Sequence, residues 1–166
     1  MAKRKKLNTR VVVLLAVLGV VLAALVAAVI IGMMPKDPQE YYQRGTAAFE
    51  KDEYRTAAEF LGTAVAEAKN QGIEKPEYYY QLAQLQWEWA NESTELTRAE
   101  ARDLASRSRS NLMAALRVQQ DYKPARKYLC QQLWERARLL GGTGQHWEEL
   151  IKEITKLIEL EPDNHK

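Results

Sequence analysis

The chain has 166 residues, 28% of them charged, a formal net charge of +2 and a single cysteine, Cys130, so no internal disulfide can form. Five of the 24 basic residues (Lys3, Arg4, Lys5, Lys6 and Arg10) stand in the first ten positions, and the 22 acidic residues all lie beyond Pro35, where they outnumber the 19 basic ones. A mildly acidic remainder of that kind speaks against nucleic-acid binding by charge.

Residues 1–10 read as a basic cytoplasmic N-terminus. The next 24 residues, Val11 to Met34, carry no charged or strongly polar side chain. As a helix they would measure about 36 Å, enough to cross a hydrocarbon core of about 30 Å. The run is longer than the apolar segment of a cleaved signal peptide and ends without a small-x-small cleavage site, so it reads as an uncleaved signal anchor. The basic residues precede the span, and only Lys36 and Arg44 occur in the first fifteen positions after it. That asymmetry keeps the N-terminus in the cytoplasm and puts residues 35–166 outside, in the periplasm if the membrane is a bacterial inner membrane.

Pro35 and Pro38 break the helix. Beyond them, Tyr41, Gly45, Ala48 and Phe49 and then Tyr54, Ala57, Leu61 and Ala64 space large and small residues along two short amphipathic helices. These are expected from Pro38 to Lys51 and from Glu53 to Asn70, with Gly45 at a close backbone approach, Tyr54 packing back across the turn and Gly72 as a stop signal.

A second hairpin opens at Lys75 and Pro76, where Tyr79, Leu82, Ala83 and Trp87 fall in the slots of Tyr41, Arg44, Gly45 and Phe49. Its turn is lengthened by Asn91 to Leu96, and Thr97 with Glu100 forms a capping box at the start of the return helix. Ala101, Leu104, Ala105, Ser108, Leu112 and Ala115 share one face of that helix, which makes the SRSRS run at 106–110 a solvated surface and not a basic binding motif.

The third hairpin begins at Tyr122, Lys123 and Pro124. Leu129, Cys130 and Leu133 or Trp134 take the apolar, small and large slots, so Cys130 reads as a packed residue and not a nucleophile. Gly141, Gly142 and Gly144 form the turn, and Trp147, Leu150, Ile154, Leu157 and Pro162 follow on the return helix. Ile151 and Ile158, seven residues apart, are expected to form an exposed end strip that a partner, a second copy or a continuation of the chain covers.

The order and spacing of these residues resemble the tetratricopeptide (TPR) motif. The expected fold is therefore all-α, a single transmembrane helix followed by a TPR-like solenoid of about three helical hairpins. The resemblance implies a concave face that binds a protein or peptide partner. It would be lined by Tyr42, Thr46, Phe49, Tyr80, Gln81, Gln84, Trp87, Tyr128, Gln131 and Trp134, although Phe49, Trp87 and Trp134 read equally as hairpin core. The Lys, Asn and Arg positions by which some TPR proteins grip a chaperone's terminal carboxylate look like Tyr42, Thr46, Gln81, Pro124 and Tyr128 here, so that clamp is missing.

Catalytic signatures are lacking. The sequence contains no Gly-rich phosphate loop, GxSxG elbow, HExxH helix or Cys/His metal set, and His146 and His165 stand far apart without a third ligand. The expectation is a non-enzymatic, membrane-anchored adaptor without cofactor or metal. A self-assembling envelope protein and the N-terminal fragment of a longer TPR protein stay open as alternatives.

Overall fold

A computed structural model describes residues 17–26, 36–139 and 144–161. The chain divides into two units, residues 1–36 and residues 37–166. In the first, residues 17–26 are helical (α1) with every side chain exposed. The rest of the expected span 11–34 lies outside the described residues, among which no helix is long and apolar enough to cross a membrane.

All the described secondary structure of the second unit is helical: α2 (Pro38–Phe49), α3 (Tyr54–Gln71), α4 (Pro76–Glu92), α5 (Arg98–Val118), α6 (Lys123–Leu139) and α7 (Gly144–Leu160). Local chemistry sets the ends. The Asp37 carboxylate accepts a hydrogen bond from the Gln39 N–H at 2.9 Å, and Pro38 stands where no intrahelical N–H is needed. Asp52 takes a positive φ of 59° in the turn to α3, a conformation that aspartate tolerates better than most residues. Gly72, at φ 67°, closes α3 in the left-handed conformation, with its own N–H returning to Lys69 and that of Ile73 to Ala68. Thr97 and Glu100 form the expected capping box at the start of α5.

Helices pack in sequential pairs, α2 with α3, α4 with α5 and α6 with α7, and each pair rests on the next through α3–α4 and α5–α6 contacts. Gly45, Ala57, Leu61 and Ala64 are buried in the first pair, as their spacing requires.

The central helix is α4. Its Leu82 and Leu85 join Ala48, Ala57 and Leu61 in one apolar cluster, while Tyr79 and Ala83 join Leu112, Ala115, Leu129, Leu133 and Leu150 in another. A helix buried on two sides must be apolar around most of its circumference, which accounts for the density of aromatic and aliphatic residues between Tyr78 and Trp89. Each fully buried leucine in these clusters contributes about 1.5–3 kcal/mol.

Two polar links cross the core. Ser108 donates its hydroxyl to the carbonyl of Ala83 at 2.7 Å and accepts from Gln132 Nε2 at 2.8 Å. Between α6 and α7, Arg126 pairs with Glu153 at 2.5 Å, both side chains being nearly excluded from solvent. Arg126 also donates to the Gln120 carbonyl at 2.7 Å, and Lys156 reaches the other oxygen of Glu153 at 2.7 Å.

The SRSRS run is divided between solvent and the face that Ser108 shares with Leu112 and Ala115. Ser106, Arg107 and Ser110 are exposed, whereas Ser108 is completely buried. In the third pair, Leu129 and Leu133 are buried and Cys130 packs half-buried against the core, as assigned, but Trp134 is exposed. On α7, Glu153 faces inward and Ile154 outward, because Arg126 supplies the inward carboxylate with a partner. Gly144 belongs to α7 itself, and the expected turn at Gly141 and Gly142 lies outside the described residues.

Candidate functional site

The first helices of the second and third pairs meet along a row of tyrosines. Tyr80 follows the core residue Tyr79 by one position, about 100° around α4, and so leaves the core for the neighbouring face. There it meets Tyr122 and Tyr128 edge-on, with ring centroids 5.9 and 6.0 Å away and interplanar angles of 77° and 82°. Such T-shaped pairs set the positive edge of one ring against the negative face of the other.

Tyr80, Tyr128 and Gln131 line a cavity of about 430 Å³, together with Lys123, Pro124 and Lys127. Both lysines are tied to Glu161, at 3.7 and 2.9 Å. Burial raises the pKa of Tyr80, takes that of Tyr122 to about 12 and raises that of Tyr128 further, with the carboxylates of Glu88, Glu135 and Glu92 adding to the effect on Tyr128. The phenols therefore stay neutral donors at any physiological pH.

The other expected groove residues distribute as follows. Tyr42 of α2 packs on Tyr78 with centroids 4.9 Å apart, and Thr46 donates its hydroxyl to the Tyr42 carbonyl at 2.9 Å. Gln81 and Gln84 are both half-buried beside Tyr80 on α4. Phe49 packs into the core of the first pair and against Tyr54. Trp134 stands edge-on to Trp147 of α7, centroids 5.6 Å apart, with half its surface exposed.

Trp87 belongs elsewhere. It lines a second cavity, of about 440 Å³, with Ala90, Asn91, Ala101, Arg102, Ala105, Arg109, Gln132, Arg136 and Leu139. Burial lowers the pKa of Arg109, the neighbouring charge of Arg136 lowers it further, and the Glu149 carboxylate partly offsets both.

Sequence reasoning missed Lys123, Pro124 and Lys127 as lining residues of the first cavity. The available signal was the i, i+4, i+8 series Lys123, Lys127 and Gln131 beside Tyr128, which puts all four on adjoining rows of one helix. It missed the arginines of the second cavity because they come from two helices.

At the far end of α4, Tyr54 stacks on Trp89 at 6.3 Å and donates to Glu92 at 2.7 Å. That hydrogen bond is the main reason its pKa rises to about 12. Burial, followed by Glu92 and Asp52, pushes the Glu88 carboxyl above the usual range. Burial likewise raises the Cys130 thiol, which keeps it protonated and a poor nucleophile. Among the described residues no group of His, Cys, Asp and Glu is arranged to hold a metal ion. On α7, Ile151 and Ile158 are 60% and 44% exposed.

Comparison with protein-family models, with curated proteins and with solved structures finds no match.

Proposed function

We propose that the chain is a TPR-like adaptor, anchored through residues 11–34 with its N-terminus in the cytoplasm, that binds a segment of a protein partner on the extracytoplasmic side of the membrane. The alternation of paired helices, with small residues at Gly45 and Ala83 in corresponding places, supports the repeat reading. One observation carries the binding reading: Tyr80, Tyr128 and Gln131, expected on the concave face from their slots, line one cavity between successive first helices. Rigid aromatic faces and amide side chains bind extended peptides through ring stacking and main-chain hydrogen bonds at little cost in side-chain entropy.

A photocrosslinking residue at Gln131, in the full chain in its native membrane, tests this. A discrete adduct is expected that disappears when Tyr80 and Tyr128 are both replaced by alanine. Identical adducts from Gln131 and from exposed Glu59 on α3 would refute groove binding.

Self-assembly is the second reading. It is favoured by the exposure of Ile151, Ile154 and Ile158 along one helix. Concentration-dependent mass of the full chain in neutral detergent, abolished by lysine at Ile151 and Ile158, is its expected signature.

A further inference from the structure

Carboxylates border the tyrosine groove on both of its helices. On α4, Tyr80, Gln84 and Glu88 follow at four-residue steps, and on α6 Tyr128, Gln131 and Glu135 follow at three and four, so each set shares one stripe of its helix. Each stripe runs from phenol through amide to carboxylate. Gln131 donates to Glu135 at 3.3 Å, and all of these side chains but Gln131 are half-buried. The whole of α4 carries Glu77, Glu88 and Glu92 and no basic residue.

The phenols feel these charges. Behind burial, which is the main cause, Glu77 raises the pKa of Tyr42 and Tyr122, Glu88 raises that of Tyr80, and Glu88, Glu135 and Glu92 together raise that of Tyr128. Glu88 in turn lies close enough to Glu92 and Asp52 to be raised by both. The ion pairs of the described residues engage Glu40, Asp103, Glu153 and Glu161, and none of them reaches Asp52, Glu77, Glu88, Glu92 or Glu135. The cavity's own lysines, Lys123 and Lys127, both turn to Glu161. Half-buried like charges without a cation between them repel, and an incoming cation relieves that repulsion where solvent screens it least.

The same row of rings already holds one cation. The Lys75 ammonium stands 5.5 Å over the Tyr78 ring, on whose other neighbour, Tyr42, the first pair of helices meets the second.

Resting on the groove reading above, we infer that the partner segment seated there is basic, with an arginine lying over the Tyr80–Tyr128 ring pair between Glu88 and Glu135, and a second basic side chain turned toward Glu92 and Asp52. A guanidinium suits the first place because its planar face stacks on a phenol while its fork pairs with carboxylates at the ring's edge. The cavity of about 430 Å³ beside Tyr80 and Tyr128 gives the segment its seat.

Fluorescence anisotropy on the full chain in neutral detergent tests this with the labelled, C-amidated peptide GSRGRSG and its counterparts carrying glutamine or glutamate in place of arginine. The arginine peptide should bind at least about tenfold more tightly than either counterpart. Glu88→Gln and Glu135→Gln together should weaken it at least about tenfold. Glu59→Gln and Glu159→Gln together remove the same charge from exposed positions on α3 and α7 and should change nothing. Circular dichroism checks that the helices survive, and the peptide comparison on the unsubstituted chain stands without the variants. No binding of the arginine peptide, equal binding of the three peptides, tighter binding of the glutamate peptide, or equal loss in the two charge pairs overturns the basic segment. If it falls while the Gln131 adduct in native membranes still depends on Tyr80 and Tyr128, the groove stands with another occupant; an adduct indifferent to those rings removes the groove itself.

Discussion

Gly45 of α2 lies so close to Leu61 of α3 that a Cβ on the glycine would stand 2.6 Å from the Leu61 Cγ and 3.0 Å from its backbone nitrogen. Two effects then oppose each other in Gly45→Ala. Helix propensity favours alanine by about 1 kcal/mol, whereas overpacking against a backbone that cannot rotate away costs about 1–3 kcal/mol. Contact should win, and the melting temperature should fall, further for Gly45→Leu. Gly62 has nothing within 4 Å of the same added atom, so Gly62→Ala should raise the melting temperature by propensity alone. A rise for both substitutions would show that α2 and α3 do not approach closely at Gly45.

The Arg126–Glu153 pair predicts an asymmetry. Removing Glu153 strands a buried guanidinium that keeps only the Gln120 carbonyl, whereas removing Arg126 leaves Glu153 with Lys156. Breaking a buried pair costs about 3–5 kcal/mol, and Glu153→Leu should lie at the upper end with Arg126→Met below it. The double substitution should be milder than Glu153→Leu alone. Chemical denaturation of the three variants reads the order directly, and equal losses would place Lys156 outside the network.

Alkaline pH should loosen the fold. Tyr79 and Tyr122 are held at about 12, chiefly by burial, against an ordinary tyrosine value of 10.0. Between pH 10 and 12 the unfolded chain therefore gives up phenolic protons that the folded chain retains, so stability is full below pH 10 and is lost as pH rises toward 12. Thermal melting across that window should show the decline, and Tyr122→Phe should make it shallower. A flat profile would mean that these rings are solvated.

On α7, neighbouring positions should behave in opposite ways. Ile151 and Ile158 are 60% and 44% exposed, so lysine at both should change folding stability by no more than about 0.5 kcal/mol per site. Leu150 is 3% exposed, and Leu150→Ala should cost about 2–5 kcal/mol. Unfolding of the double lysine variant would move the isoleucines into the core and end the self-assembly reading.

The helical boundaries were legible in the sequence because their signals are local. Pro76, Gly72 and the Thr97–Glu100 box act on backbone groups within a few residues, and each stands where expected. The spacing of Gly45, Ala57, Leu61 and Ala64 was equally legible, since a small residue opposite a large one leaves a periodic trace. The third pair was less so. A glutamate between isoleucines reads as solvent-facing unless its partner is known, and Arg126 lies 27 residues away. The same holds for the site: Tyr80, Tyr128 and Gln131 followed from repeat slots, whereas the cavity of Trp87 assembles side chains from three helices and has no one-dimensional pattern.

The Gln132–Ser108–Ala83 chain has a mechanical consequence. Apolar surfaces slide over each other at little cost, but this chain allows a single register, because shifting α6 by one residue swings the amide about 100° away from the serine. It works as an indexing pin between the second and third pairs of helices. By fixing the pitch at that joint, it holds Tyr80 at the spacing where its ring meets Tyr128 edge-on.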